Sequence, residues 1–394
     1  MIKENRYTMI ILIFSMLIIL FNQLNNTGLL ALGNFMYAPF IGIILTFILY
    51  KYKGYNTYLN TNKDKLKEII AFFMILAYSI SPVLALKVFK YTPAENITYI
   101  SLFYMFIFTL VIISKSINTE NKYKLFLTYS LIGNSAILIV NLIVNINQIT
   151  YVDFTTILAV DRGIRANFHM SHPNTAAMYI LIEILLIYLI FMKNKKKKLI
   201  PLASIGVLSI FMISTGSRTA NLCILMFITL QFYTNIIKNL NKYIKMSVIM
   251  FTITIIFILI FYKIDFVGII SETSGRDRAF MNNIEAIKIY GDMFFGIAPT
   301  SIMILNEYCF LDFADNWYIV QLIQFGFVGL FIMIYTLMLI LVRFIKNKNM
   351  ICFNLVLVLL LYSTAERVLF VPGVTLSYMI WALIFTNLNR KNYY

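Results

Sequence analysis

Apolar stretches recur along the whole chain, and most approach the roughly 20 residues that a helix needs to cross a membrane. Twelve stretches have this character: residues 7–21, 28–50, 68–87, 96–113, 125–146, 175–192, 199–214, 219–237, 246–262, 317–342, 351–365 and 374–388. Hydrophobic residues make up 60% of the 394-residue chain, whereas soluble domains contain roughly 45–50%. The sequence therefore predicts an all-α polytopic membrane protein with about twelve transmembrane helices, and residues 1–394 as a single integral membrane domain.

The lysines are divided unevenly between the two sides of these stretches. With the N-terminus in the cytoplasm, 20 of the 24 lysines fall on the cytoplasmic side, together with Arg6, Arg343 and Arg390. Cytoplasmic segments of membrane proteins carry an excess of basic residues. The sequence therefore predicts two cytoplasmic termini and two long outer loops, residues 147–174 and 263–316.

The remaining arginines fall on the opposite, outer side: Arg162, Arg165, Arg218, Arg276, Arg278 and Arg367. A guanidinium binds phosphate through two parallel hydrogen bonds and stays charged when desolvated, which a lysine cannot match. We therefore expect an anionic, phosphate-bearing group near the outer surface. The net charge of +16 comes mainly from lysines beside apolar stretches, which anchor to membrane lipids, so it does not predict a nucleic-acid partner.

The first outer loop ends in a polar group at the start of the sixth apolar stretch. Arg165 is followed by His172, Pro173 and Asn174. Asn174 can cap a helix that begins at Thr175, and a helix N-terminus favours anions. We interpret the group as part of a binding site, and the alternative is a solvated loop with a good helix cap.

Three further arginines are candidates for anion binding by similar reasoning. Arg218 lies in a turn so short that it must stay near the membrane surface, and the alternative is a simple surface anchor. Arg276 and Arg278 flank Asp277 at the start of a segment with helical apolar spacing. Their excess positive charge favours an anion at that helix start, unless Asp277 only forms a weak surface pair.

Asp315 and Asn316 precede the tenth apolar stretch. Both residue types cap helices well, and a carboxylate close to outer arginines is also a candidate general base. At the end of the eleventh stretch, Glu366 and Arg367 can pair with each other. The two histidines and three cysteines form no cluster with metal-ligand spacing, so no metal site is expected.

Four polar residues lie within predicted spans. Asn134, Asn141 and Asn145 share one helix face, and Glu183 lies midway along the sixth stretch. Such residues face a cavity or a partner in a membrane protein. Hydrogen bonding between helices explains them equally well.

The order of these motifs resembles that of the Wzy-type polysaccharide repeat-unit polymerases and the related O-antigen ligases. The motifs that carry the resemblance are Arg165 with Phe168 and His172-Pro173-Asn174, Ser217-Arg218-Thr219, Gly275-Arg276, and Asp315-Asn316 with Gly326 and Gly329. The likeness covers most of the chain in topology and residues 162–329 in sequence. The ligases typically carry histidine where this chain has Asp315, which favours a polymerase.

The resemblance implies a metal-independent glycosyl transfer, without a cofactor, at the outer leaflet of the bacterial cytoplasmic membrane. A glycan on undecaprenyl diphosphate would be transferred to a new lipid-linked repeat unit, releasing undecaprenyl diphosphate. It makes eight residues site candidates: Asp315 as general base, Arg218 and Arg276 at the donor diphosphate, Arg165, Arg278 and His172 at the second lipid diphosphate or the sugar, and Asn174 and Asn316 as further substrate-binding residues.

The implied partners are lipid-linked oligosaccharides, membrane lipids, a chain-length regulator and a flippase. Two alternatives stay open: an O-antigen-ligase-type glycan transferase, and a flippase or transporter of lipid-linked oligosaccharides. Transporters of that kind tend to contain two related halves, and no internal repeat is evident in this sequence.

Overall fold

A computed structural model describes residues 2–29, 32–52, 65–85, 93–151, 165–191, 199–237, 293–297, 316–388 and 390. These residues form helices and no β-strand. The α-helices in this part of the chain are α1 (Ile2–Asn26), α2 (Ala38–Tyr52), α3 (Lys65–Ala85), α4 (Pro93–Ser116), α5 (Glu120–Val144), α6 (Pro173–Phe191), α7 (Leu199–Ser214), α8 (Arg218–Ile237), α9 (Trp317–Lys346), α10 (Met350–Tyr362) and α11 (Thr375–Asn387). Short 3-10 helices, Gly33–Tyr37 and Ile146–Tyr151, precede α2 and follow α5.

Each of these helices coincides with a predicted apolar stretch, and the remaining stretch, residues 246–262, lies outside the described residues. Six are long and apolar enough to cross a membrane: Arg6–Asn26, Gly33–Tyr52, Ile97–Ser116, Glu120–Val144, Pro173–Phe191 and Trp317–Lys346. Large apolar side chains also cover the outside of the bundle, as Ile41, Leu45 and Ile48 do on one face of α2. The described part of the chain is therefore all-helical, its apolar helices are those of a multi-pass membrane protein, and twelve crossings stay a prediction.

Charged residues are divided between the two ends of the helix bundle. At one end, which we call the lysine end, Lys115 Nζ lies 2.8 Å from Glu68 Oε1 and Arg390 Nη1 lies 3.4 Å from Glu120 Oε2. All lysines in the described segments lie near helix ends on this side. Which side of the membrane each end faces stays a prediction.

The opposite end is where α1, α7 and α10 finish and α6, α8, α9 and α11 begin. Two backbone hydrogen bonds tie these helix ends together: Ser171 N to Asn26 O at 2.8 Å, and Trp317 N to Ser363 O at 3.0 Å. The arginines at this end, within the described residues, are Arg165, Arg218 and Arg367. We call it the arginine end.

A chain of buried polar side chains joins α1, α5 and α6 inside the bundle. The Asn134 amide nitrogen donates to Glu183 Oε2 at 2.7 Å and to the Tyr179 carbonyl at 3.0 Å, and the Ser135 hydroxyl donates to Glu183 Oε1. Gln23 Nε2 donates to the Asn134 carbonyl at 2.8 Å. A buried carboxylate is destabilising unless donors surround it. Asn134 and Glu183 therefore serve helix–helix hydrogen bonding.

We expect Asn134→Leu to destabilise the protein by about 1–3 kcal/mol, because it leaves a buried carboxylate oxygen without its donor. The double variant Asn134→Leu/Glu183→Leu should recover much of this loss, since both polar partners are then replaced by apolar groups. Thermal unfolding of the detergent-purified protein measures both effects. Ser204→Ala is a control, because that hydroxyl donates to the Ile200 carbonyl within its own helix. A single variant as stable as wild type would contradict the prediction.

Helix α9 is interrupted at Gly326, whose φ of 65° and ψ of −172° are not helical. The segment 293–297 lies against this interruption. Three backbone hydrogen bonds join them: Ile297 N to Ile323 O (2.8 Å), Phe327 N to Met293 O (3.0 Å) and Val328 N to Phe294 O (2.9 Å). Non-helical backbone at membrane depth is stable only where protein satisfies its polar groups.

The sequence analysis did not predict an interruption in α9. Gly326 lies about 14 Å along α9 from Trp317, at 1.5 Å per residue. The segment 293–297, which the sequence assigned to the outer loop 263–316, therefore lies beside α9 about a third of the way along the helix. The sequence pattern did not indicate this contact, because hydrogen bonds between two backbone segments do not require a periodic arrangement of apolar residues.

Candidate functional site

Arg165 is held against the turn that joins α7 to α8. Its Nε donates to the Thr215 carbonyl at 2.8 Å, and its Nη2 donates to Asn174 Oδ1 at 2.6 Å. Bonds from two edges of the guanidinium fix the plane of the group. Gly216 has a φ of +60°, and a Cβ there would lie 3.2 Å from Arg165 Nε. Glycine therefore lets the arginine lie close to the turn.

The same turn leads directly into Arg218, the first residue of α8. The Ser217 N–H donates to Thr215 Oγ1 at 3.2 Å, which orders the turn. A helix N-terminus carries a partial positive charge, and a cation there is unfavourable without an anion. Arg165 and Arg218 are both half-buried at this helix start. The turn thus concentrates positive charge at the arginine end.

Asn174 has a different role from the helix cap that the sequence predicted. Helix α6 begins at Pro173, a residue whose fixed φ suits the first helical position. His172 Nδ1 accepts a hydrogen bond from the Asn174 N–H at 3.1 Å, so the histidine ring takes the capping contact. The Asn174 side chain instead bridges two charged groups, because its Oδ1 accepts from Arg165 and its Nδ2 donates to Glu366 Oε1.

The backbone beside this group is strained. Phe168 and His169 have positive φ values of 48° and 61°, which is uncommon for residues other than glycine. Gln148 Oε1 accepts from the Asn167 and Phe168 N–H groups at 3.1 and 2.9 Å, and the Phe168 ring packs edge-on against Phe211. Surrounding contacts that hold such a conformation are typical of functional segments.

Asn316 caps α9. Its Oδ1 accepts from the Tyr318 and Ile319 N–H groups at 2.9 and 3.3 Å. This is the capping alternative considered for Asn316. The cap lies at the arginine end, because the next residue, Trp317, donates to the carbonyl of Ser363.

The structure brings five of the predicted site residues to the arginine end: Arg165, His172, Asn174, Arg218 and Asn316. Three others, Arg276, Arg278 and Asp315, lie outside the described residues. The structure also adds Glu366, which the sequence paired with its neighbour Arg367. Its contact with Asn174 joins residues 192 positions apart, which no local pattern reveals.

The arrangement places a guanidinium and a carboxylate on opposite sides of one amide, beside an arginine-bearing helix start. Fixed cations of this kind can neutralise charge that develops on a leaving group, and a carboxylate can accept a proton. Within the described residues, no group of three or more histidine, cysteine or acidic side chains could hold a metal ion. No protein-family model matches the chain, and a search of curated proteins finds no match.

Proposed function

We propose that the protein polymerises undecaprenyl-diphosphate-linked oligosaccharide repeat units into a surface polysaccharide, such as a capsule or O-antigen. The reaction takes place at the outer leaflet of the bacterial cytoplasmic membrane. The observation that carries the proposal is Arg165, held by Thr215 and Asn174 beside the start of α8, where Arg218 lies. Lipid-linked diphosphates are anions that reside at this depth of a membrane, and a fixed guanidinium suits them.

The reaction is a direct displacement. A hydroxyl oxygen of the acceptor sugar forms a bond to the anomeric carbon of the donor glycan, and the bond between that carbon and the diphosphate oxygen breaks. Undecaprenyl diphosphate leaves with the electron pair, and the anomeric centre is inverted. Arg218 and Arg276 neutralise the leaving charge, together with Arg165, which is hydrogen-bonded to the turn that leads into Arg218. A carboxylate takes the hydroxyl proton, and Asp315 is the candidate from sequence.

Deletion of the gene in its host tests the proposal against its alternatives. A polymerase deletion leaves single repeat units at the surface and no polymer. A ligase deletion leaves long polymer on undecaprenyl diphosphate, and a flippase deletion traps repeat units on the inner leaflet. The lipid-linked glycans and the surface polymer are analysed by mass spectrometry and gel electrophoresis. Either of the last two patterns would overturn the proposed function.

In the same host, we expect the Arg276→Lys variant to produce much less polymer than the wild type. A lysine is a point charge and cannot replace the bidentate hydrogen bonding of a guanidinium to a diphosphate. The amount of long-chain polysaccharide at matched protein level measures this. Arg6→Lys is a control, since Arg6 belongs to the predicted cytoplasmic side. Full polymer from the Arg276→Lys variant would exclude this arginine from diphosphate binding.

A further inference from the structure

The side chain of Gln148 connects the end of α5 to the segment that follows Arg165. Gln148 lies in the 3-10 helix Ile146–Tyr151, which packs against α7. Its Oε1 accepts from the N–H groups of Asn167 and Phe168 at 3.1 and 2.9 Å. Two N–H donors that converge on one atom require an oxygen there, so these contacts fix the orientation of the amide. A single side-chain oxygen therefore satisfies two consecutive backbone donors.

The nitrogen of the Gln148 amide is held by the end of α5. Its Nε2 donates to Asn145 Oδ1 at 3.3 Å, and Asn145 Nδ2 donates to the Asn141 carbonyl at 3.0 Å. The Gln148 N–H also donates to the Asn145 carbonyl, at 3.0 Å. The oxygen that Gln148 presents is thus fixed to the end of a long helix. Groups held by a helix are positioned more precisely than groups on a loop.

The residues that follow Asn167 adopt a backbone conformation that their side chains do not favour. Phe168 and His169 have positive φ values, and tertiary contacts must offset the energy that such a conformation costs. The Phe168 side chain is fully buried, so its N–H is a donor that water does not readily satisfy. Removal of the Gln148 oxygen therefore leaves this segment free to relax into a less strained conformation.

The same segment holds Arg165 in its place. The Ala166 N–H donates to the Ser214 carbonyl at 3.0 Å, and Arg165 Nε donates to the next carbonyl, that of Thr215, at 2.8 Å. The backbone after Arg165 is therefore held first by the end of α7 and then, within two residues, by the 3-10 helix. A displacement of about 1 Å at a reacting group lowers a rate by roughly 10²-fold. The position of this segment thus bears directly on what the guanidinium can do.

We propose that Gln148 is a positioning residue for glycosyl transfer, which holds the segment after Arg165 so that the guanidinium meets the departing diphosphate. This rests on the proposed polymerase function. Gln148 acts through Arg165, and no proton or bond is exchanged with its own side chain. When its oxygen is removed, the backbone at Asn167 and Phe168 relaxes and carries Arg165 out of position.

A double-mutant cycle with Arg165 tests this role. The full chain is placed in lipid vesicles with undecaprenyl-diphosphate-linked repeat units, and the polymer formed per unit time is measured. Gln148→Leu should lower the rate by about 10–10²-fold. Gln148→Glu should keep most of the rate, because its carboxylate accepts from both N–H groups. In the Arg165→Lys background, Gln148→Leu should cause little further loss, because no guanidinium is left to position.

Thr119→Val is the matched control. Thr119 Oγ1 also accepts from a backbone N–H, that of Lys122 at 3.3 Å, but it lies at the lysine end. This variant should leave the rate unchanged in both the wild-type and the Arg165→Lys backgrounds.

Trypsin cleavage after Arg165 measures the same effect without the reaction. Ala166 is buried and its N–H is hydrogen-bonded, so cleavage of the detergent-purified chain at this bond requires local opening. Gln148→Leu should raise the cleavage rate about tenfold, since two N–H groups lose their acceptor. Mass spectrometry detects the product by its new N-terminus at Ala166. Gln148→Glu should be cleaved as slowly as the wild type.

Two results of the cycle would overturn the proposal. One is a Gln148→Leu variant with the wild-type rate. The other is a loss by the same factor in both backgrounds, which would make Gln148 a general structural contact. If Gln148→Leu folds poorly, as judged by its Tm, Gln148→Asn decides, because its shorter side chain withdraws the oxygen. A loss of rate that disappears in the Arg165→Lys background supports the proposal, and a wild-type rate contradicts it.

Failure of the proposed function would look different. If the wild type makes no polymer, the proposed function is wrong and the role of Gln148 in glycosyl transfer falls with it. The trypsin result then still decides whether Gln148 holds Arg165. If the wild type makes polymer and Gln148→Leu changes neither the rate nor the cleavage, only the role of Gln148 is overturned.

Discussion

An Arg165→Lys variant is expected to lose roughly 10²–10³-fold in polymerisation rate, the usual effect of removing one charge-stabilising donor. Arg165 donates from Nε to Thr215 and from Nη2 to Asn174 at the same time. A lysine ammonium is a single point charge and cannot make both contacts while it faces a diphosphate. The measurement is polymer formed per unit time by the purified chain in vesicles that contain lipid-linked repeat units.

Arg343→Lys is the matched control for this variant. Arg343 also donates from Nε to a backbone carbonyl, that of Leu388 at 3.2 Å, but it lies at the lysine end. Its substitution should leave the rate near that of wild type. Equal losses in both variants would show that the effect comes from general destabilisation. An Arg165→Lys variant with full activity would remove Arg165 from the diphosphate site.

A Gly326→Ala variant is expected to lose about 3 kcal/mol or more of stability and to yield little folded protein. The φ of +65° at Gly326 is unfavourable for alanine, and a Cβ there would lie 2.2 Å from the carbonyl oxygen of Phe294. The clashing atom belongs to the backbone, which cannot move to another rotamer as a side chain can. Backbone strain and steric overlap therefore both contribute to the loss of stability. Size-exclusion chromatography and thermal unfolding of the detergent-solubilised variant measure the loss.

Gly206→Ala provides the control for Gly326. Gly206 lies within α7, and a Cβ there would meet nothing within 4 Å. Alanine is the better helix former by about 1 kcal/mol, so this variant should be neutral or slightly more stable. If the Gly326→Ala variant folded as well as the Gly206→Ala variant, this result would contradict the close contact between residues 293–297 and α9.

The sequence by itself determined the helices. Apolar stretches about as long as a membrane is thick have few alternatives to a helix, because every backbone polar group must be satisfied within lipid. The cap at Asn316 could likewise be predicted from the sequence, since its side chain contacts N–H groups only two and three residues away. The arginines of the arginine end were recognisable from charge distribution alone.

Only the tertiary structure decided which polar groups meet. Asn174 could serve as a helix cap or as a bridge, and the tertiary structure selected the bridge to Glu366. The interruption of α9 at Gly326 depends on carbonyls from residues 293 and 294, far away in sequence. Helix propensity and the spacing of apolar residues are local properties of the sequence. The contacts described here join distant segments and form only once the helices have packed.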